Sequence, residues 1–202
     1  MGTVTGGEVV LVLAGAWVAG EVALQVRQWR RGRGGGRAEW GSLVVLVAAG
    51  VFSGVASAPL RDVLVVPREV ALGVGLAIAV AGVALRFWSI LVLGRFFRGV
   101  VTVQADHEVV RAGPYRYLRH PSYLGALGGV LGFGLTGGSV AAAVVGTAVV
   151  GLGVAYRIAV EERALRAGLG EAYERYAATT GRLLPRWRAR DVTGAGRGSA
   201  GA

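Results

Sequence analysis

The chain has 202 residues, 53% of them hydrophobic, yet it carries a net charge of +10 and a mean hydropathy of +0.54. High apolarity joined to a basic excess points to an integral membrane protein with charged loops. With no cysteine and only two histidines, His107 and His120, the sequence excludes disulfides, zinc–thiolate centres and thiol nucleophiles, and it offers no HExxH motif or carboxylate–histidine cluster for a metal.

All 22 basic residues are arginine, and 35 residues are glycine, a bias that a GC-rich genome explains. The arginines flank apolar runs, which fits membrane orientation rather than nucleic-acid binding. The N-terminal segment is not read as a cleavable signal peptide, because its positive charges follow the apolar run. The run Met1 to Gly6 also fails the myristoylation pattern, lacking Ser or Thr at position 6.

Five apolar spans are expected in chain order, at about 9–26, 42–60, 70–93, 123–135 and 140–158. Each long one approaches the ~20 residues a helix needs to cross the hydrocarbon. Glu21 lies toward the end of the first span and receives no role. Arg86, in the third, is expected to snorkel to the interface. Between spans one and two, Arg31 to Gly36 forms a Gly/Arg linker. The fourth and fifth spans are joined by Thr136-Gly137-Gly138-Ser139, the signature of a tight helical hairpin. Gly128, Gly129, Gly132 and Gly134 lie inside the fourth span with no preceding strand, so they indicate close helix packing rather than a dinucleotide fingerprint.

Arginine placement sets the expected topology. Arg27, Arg30, Arg31, Arg33 and Arg37 crowd the first connection, whereas Arg61 and Arg68 in the second are offset by Asp62 and Glu69. Arg95, Arg98, Arg111, Arg116 and Arg119 fill the third, and most of the rest follow the fifth span. The positive-inside rule then puts the N-terminus outside and the C-terminus in the cytoplasm of a multi-pass cell-membrane protein. The expected fold is an all-α polytopic membrane protein with a cytoplasmic C-terminal helical region. Its divisions are residues 1–93 (three spans), 94–186 (a functional core) and 187–202 (a disordered tail).

Chemistry concentrates in Gly113 to Gly125, GPYRYLRHPSYLG, at the mouth of the fourth span. Pro121 followed by Ser122 and Tyr123 fits proline in a helix's first turn, which predicts free backbone N–H groups at 121–123 for an anion. At the exit of the fifth span, Arg157 and Glu161 are four apart and share one helix face, beside Glu162. Ionised groups at a bilayer boundary are costly unless paired or solvated, and they often mark functional sites. From Glu161 to Arg186 the residues Leu165, Leu169, Ala172, Tyr173 and Tyr176 recur at helical spacing. Gly168 and Gly170 are expected to break this amphipathic segment into two short helices.

The run His107-Glu108-Val109-Val110, then GPYRYLRHPSYLG, then Arg157 with Glu161-Glu162, then Gly170 to Tyr176 and Arg182-Leu183-Leu184-Pro185, resembles the isoprenylcysteine carboxyl methyltransferase family. The resemblance is dense from about residue 93 to 186, and spans one and two match only in being apolar. It implies an integral membrane enzyme using S-adenosylmethionine, with no metal. His107, Glu108, Val109, Val110, Tyr115, His120, Pro121, Ser122, Tyr123 and Glu161 are then expected at the cofactor, and Arg157 at the acceptor's carboxylate. A family glutamine falls on Val100 without a gap and on Gln104 only with a shift. The implied partners are the bilayer and a lipophilic or amphipathic acceptor. Two other readings compete: an NADPH-dependent reductase of the sterol reductase type, which shares RHPxY, and a non-enzymatic membrane scaffold.

Overall fold

The computed structural model describes residues 5–31, 37–94 and 109–186, with side chains at 25–43 and 46 outside that description. Among the described residues six α-helices follow one another: α1 Gly6–Arg31, α2 Arg37–Ser57, α3 Arg68–Leu93, α4 Pro121–Leu135, α5 Val140–Leu169 and α6 Glu171–Thr179. Among the described residues there is no named strand, only the isolated bridges Val65–Ser139 and Leu118–Gly181. The Gly/Arg linker at 32–36, His107, Glu108, Gln104 and the tail at 187–202 lie outside the described residues.

Among the described residues three helical segments are long and apolar enough to cross a membrane: Gly6–Leu24, Arg68–Leu93 and Val140–Leu169. Val47–Leu60 and Pro121–Leu135 are apolar but shorter. At 1.5 Å per residue, α4 measures about 22 Å, short of a hydrocarbon core of about 30 Å. Exposure agrees with a lipid surround, since Leu11, Val51, Leu91 and Leu152 on four different helices are all largely exposed. So large an apolar surface is unusual on a monomer in water.

Glycines let α3 and α4 touch backbone to backbone. A Cβ on Gly82 would meet the Gly129 nitrogen at 2.5 Å and the Gly125 oxygen at 2.7 Å, and one on Gly125 would meet the Arg86 nitrogen at 2.6 Å. Gly75 and Gly132 continue this seam. Apolar side chains gain little by leaving lipid for each other, so close backbone packing is what holds such helices together. The fourth span's Gly129 and Gly132 therefore serve packing, as the sequence pattern predicts. Gly129 also receives Trp17 from α1, whose ring stacks on Phe133 with centroids 5.6 Å apart.

At the opposite end from the polar motif, the 136–139 turn joins α4 to α5. Ser139 caps α5 by accepting the Ala142 N–H (3.1 Å), and its hydroxyl lies 2.7 Å from the Leu60 and Val63 carbonyls. Val66 N–H donates to Gly138 O at 2.9 Å, so the α2–α3 loop is stitched to this turn.

The C-terminal region departs from expectation at one glycine. Gly168 stays helical, and α5 runs unbroken for 30 residues. Gly168 has neighbours that favour helix, and one glycine costs only about 1 kcal/mol there. The break falls solely at Gly170, with φ +51°, a conformation that L side chains resist. Gly170 ends α5 and begins α6, whose Glu171 and Glu174 suit the positive end of the helix dipole.

The seam predicts an asymmetric response to substitution. Gly82→Leu forces α3 from α4 and lowers thermal stability in detergent by about 3 kcal/mol or more. Gly73→Ala on the same helix, where an added Cβ meets nothing within 4 Å, stays neutral or gains slightly. Paired thermal melts check both.

Candidate functional site

The Arg119-His120 motif enters α4 through Pro121 in its first turn. The sequence reading left the amides of 121–123 free for an anion, and the structure corrects this at 121 and 123. Proline has no N–H, and Tyr123 N–H donates to the His120 carbonyl at 3.1 Å. Leu124 N–H donates to the same carbonyl at 3.2 Å.

The strongest feature is Glu162, which is 0% exposed. Its Oε1 accepts from Arg119 Nε at 2.9 Å and lies 3.3 Å from His120 Nε2. Its Oε2 accepts from Arg182 Nη2 at 2.9 Å and from Arg166 Nη2 at 3.4 Å. A carboxylate facing three guanidiniums is ionised and only accepts, so His120 Nε2 carries the proton at this contact. Glu162 thus joins α5 to the motif before α4 and to the segment after α6.

That last segment returns alongside the motif. Arg119 N–H donates to Gly181 O at 2.7 Å, His120 N–H to Arg182 O at 3.0 Å, and Gly181 N–H to Tyr117 O at 3.2 Å. Arg119 also donates to the Ala177 carbonyl at 2.9 Å and to the Thr180 carbonyl, closing the end of α6. Tyr176 Oη lies 2.8 Å from the Tyr115 carbonyl and 3.2 Å from that of Leu118. The buried Tyr173, Tyr176 and Ala177 pack with Val109, Leu165 and Leu169, so the amphipathic stripe caps the motif. Burial raises the Tyr176 phenol to about 12, opposed by the positive charge of Arg119. Burial raises the Tyr115 phenol further, and the Glu161 carboxylate adds to the rise.

A second constellation joins α4 and α5. Tyr123 Oη donates to Glu161 Oε2 at 2.9 Å and accepts from Arg157 Nε at 3.1 Å. Arg157 and Glu161 therefore share a face, as their spacing predicts, with one tyrosine between them. Arg157 is 2% exposed, whereas Glu161 is only partly buried. The His120 and Tyr123 rings sit 5.9 Å apart, so this chain adjoins the Glu162 cluster.

A third constellation corrects the expectation for Arg86. It does not snorkel. It pairs with both oxygens of Glu21 and donates through Nη1 to Ser122 Oγ at 2.9 Å and to the Ser122 carbonyl at 3.3 Å. An arginine in the apolar layer must be paired, and α1 brings the carboxylate within reach. Glu21 also accepts from Trp17 Nε1 at 3.2 Å. Hence the Ser122 hydroxyl is held from behind by Arg86.

Of the expected site residues, Tyr115, His120, Pro121, Ser122, Tyr123, Arg157 and Glu161 are gathered at this end of the bundle, with Val109 against α6. His107 and Glu108 lie outside the described residues. Sequence reasoning singled out Glu161 and gave no role to its neighbour Glu162, nor to Arg119, Arg166 and Arg182. A signal existed: Val150, Val154 and Ile158 are the buried stripe of α5, and the next position at spacing four is Glu162.

These features define a helical membrane protein with a polar site where its spans meet a short C-terminal helix. The family model of the isoprenylcysteine carboxyl methyltransferase (ICMT) family matches residues 74–167. Two probable protein-S-isoprenylcysteine O-methyltransferases, from Oryza sativa subsp. indica and subsp. japonica, are each 32% identical over 114 residues, or 55% of this chain. The chain covers 60% of each relative's length. Over that stretch the chain is similar to the ICMT family.

Tyr176→Phe removes the hydroxyl that secures Tyr115 and Leu118, at a cost of about 1–2 kcal/mol. The raised phenol also gives a pH signature. Its stabilisation is fully present below the ordinary tyrosine value of about 10 and is lost as pH rises through about 12. Denaturation from pH 9 to 12 (about three units) is therefore less steep in the phenylalanine variant.

Proposed function

We propose that this protein is an S-adenosylmethionine-dependent methyltransferase acting on the carboxylate of a lipophilic or amphipathic acceptor at the cytoplasmic face of the membrane. In this reading the chain makes five spans, with α2 and the short α4 completing the three long ones, the N-terminus outside and the C-terminus inside. Residues 94–186 form the catalytic unit. The observation that carries the reading is the Arg157–Tyr123–Glu161 chain between α4 and α5, inside the stretch similar to the ICMT family.

The residues present fit the cofactor. Glu161 is a partly exposed carboxylate suited to the amino group or ribose, and Tyr115 and His120 to Tyr123 stand beside it. Val109 and Val110 lead into the same region, with His107 and Glu108 preceding them in sequence. Among the described residues Tyr173 Oη is buried without a hydrogen-bond partner, and Tyr173 packs against Val109. Such an orphan costs about 1–3 kcal/mol unless a bound group satisfies it. When bound, the cofactor supplies an activated methyl group on a sulfonium.

The chain's own task is alignment and exclusion of water, which is worth about 7 kcal/mol or more at best. An acceptor carboxylate is already ionised at neutral pH and requires no general base. Arg157 orients it by charge-assisted hydrogen bonds, held in turn by Tyr123. A thiol acceptor would need a base, and here His120 Nε2 faces Glu162 while the Tyr123 hydroxyl already donates to Glu161. The acceptor enters laterally from the bilayer and the polar cofactor from the aqueous side.

Calorimetry on the purified chain tests the donor: S-adenosylhomocysteine binds and NADPH does not. Binding of NADPH alone would overturn the proposal. Arg157→Ala raises the acceptor's KM by at least about tenfold, the effect of losing one charge-assisted contact, while cofactor affinity changes little. Equal losses in both would remove Arg157 from the acceptor site.

A further inference from the structure

Between the end of α6 and the segment that follows it, a cleft of about 740 Å³ is lined by Arg119, Arg166, Glu174, Arg182, Leu184 and Arg186, among others. None of Tyr115, His120, Tyr123, Arg157 or Glu161 lines it. Its four arginines face two glutamates, Glu162 and Glu174, leaving two positive charges uncompensated by carboxylates. Arg186 donates only to carbonyls, those of Ala177 (3.1 Å) and Ala178 (2.6 Å), among the described residues. Arg182 keeps its side chain 60% exposed while touching Glu162.

The level of this cleft is set by the pairing of Gly181 with Leu118. That pairing holds Arg182 beside His120, one residue before α4 begins its apolar run. The 182–186 segment is thereby brought back to the membrane boundary. Leu184 stands there 76% exposed between Arg182 and Arg186. The sequence onward, Trp187-Arg188-Ala189-Arg190, keeps the same mixture, so residues 182–190 hold four arginines and no acid. Arginine on phosphate with leucine toward the acyl region is the chemistry of anionic-lipid recognition.

We propose that this cleft binds the headgroup of an anionic phospholipid of the surrounding bilayer, with the phosphate between Arg182 and Arg186 and Leu184 against the acyl chains. The site is separate from the proposed methyl-transfer site and requires only that the chain sit in a membrane. Bound there, the lipid links the C-terminal segment to the bilayer and reinforces the bracing of the Arg119-His120 motif.

The test uses the full chain in detergent, titrated with mixed micelles of dioleoylphosphatidylglycerol or dioleoylphosphatidylcholine, or with inorganic phosphate, and followed by tryptophan fluorescence. Phosphatidylglycerol should bind at least about tenfold more tightly than phosphatidylcholine or free phosphate, and raising salt from about 0.05 to 0.5 M should weaken it. Arg182→Gln with Arg186→Gln should reduce phosphatidylglycerol affinity about 10- to 30-fold, at roughly fivefold per arginine. Leu184→Gln, which leaves every hydrogen bond described above in place, should reduce it about two- to fivefold. It decides the matter if the double variant fails to fold. Equal binding of the two lipids, free phosphate binding as tightly as phosphatidylglycerol, or unchanged affinity in a folded variant would each overturn the proposal. Binding of S-adenosylhomocysteine, measured in parallel, reports separately on the methyltransferase reading.

Discussion

The polar end of this protein depends on a carboxylate with no access to solvent. Glu162 is surrounded by Arg119, His120, Arg166 and Arg182, drawn from the motif before α4, from α5 itself and from the chain after α6. A buried charge is costly by itself, and the same low-dielectric setting makes each satisfied contact stronger. The cluster's value lies in specificity of arrangement: removing the carboxylate would leave cations facing each other. Around it, the backbone pairing of 117–120 with 181–182 and the capping of α6 by Arg119 all become compatible.

The apolar part of the bundle follows other rules and serves the same end. Glycines bring α3 against α4 closely enough that Arg86 reaches Ser122, while Trp17 and Glu21 of α1 close over the pair. Ser122 and Tyr123 are consequently positioned twice, from the membrane side by Arg86 and from α5 by Arg157 and Glu161. In the proposed methyl transfer, where the chain contributes geometry rather than a nucleophile or metal, such double support is what the chemistry requires.

Much of this was legible in the chain. Apolar runs located the helices, because a lipid-facing segment must be apolar on every side. The GPYRYLRHPSYLG motif located the polar cluster, because arginine, histidine and tyrosine at a bilayer boundary need partners. The Arg157–Glu161 spacing correctly put both on one face. Other features were hidden because they are tertiary. Nothing local tells that Glu21 and Arg86, 65 residues apart, will meet, so snorkelling was the natural expectation. Glu161 and Glu162 are chemically identical, and only the phase of the Val150–Val154–Ile158 stripe separates a buried hub from a residue facing Tyr123. Gly168 and Gly170 also look alike in sequence, yet the chain turns only where φ becomes positive. The return of 181–182 to the motif is a two-residue pairing with no periodicity to read.

The most direct test of Glu162 as the organising contact is hydrogen exchange, compared between the natural chain and Glu162→Ala. Loss of the hub should speed exchange together at 117–120 and 176–182, which share no sequence proximity, while the α3–α4 seam around Gly82 and Gly125 keeps its protection. Faster exchange confined to α5 near residue 162, with both distant segments unchanged, would contradict the account.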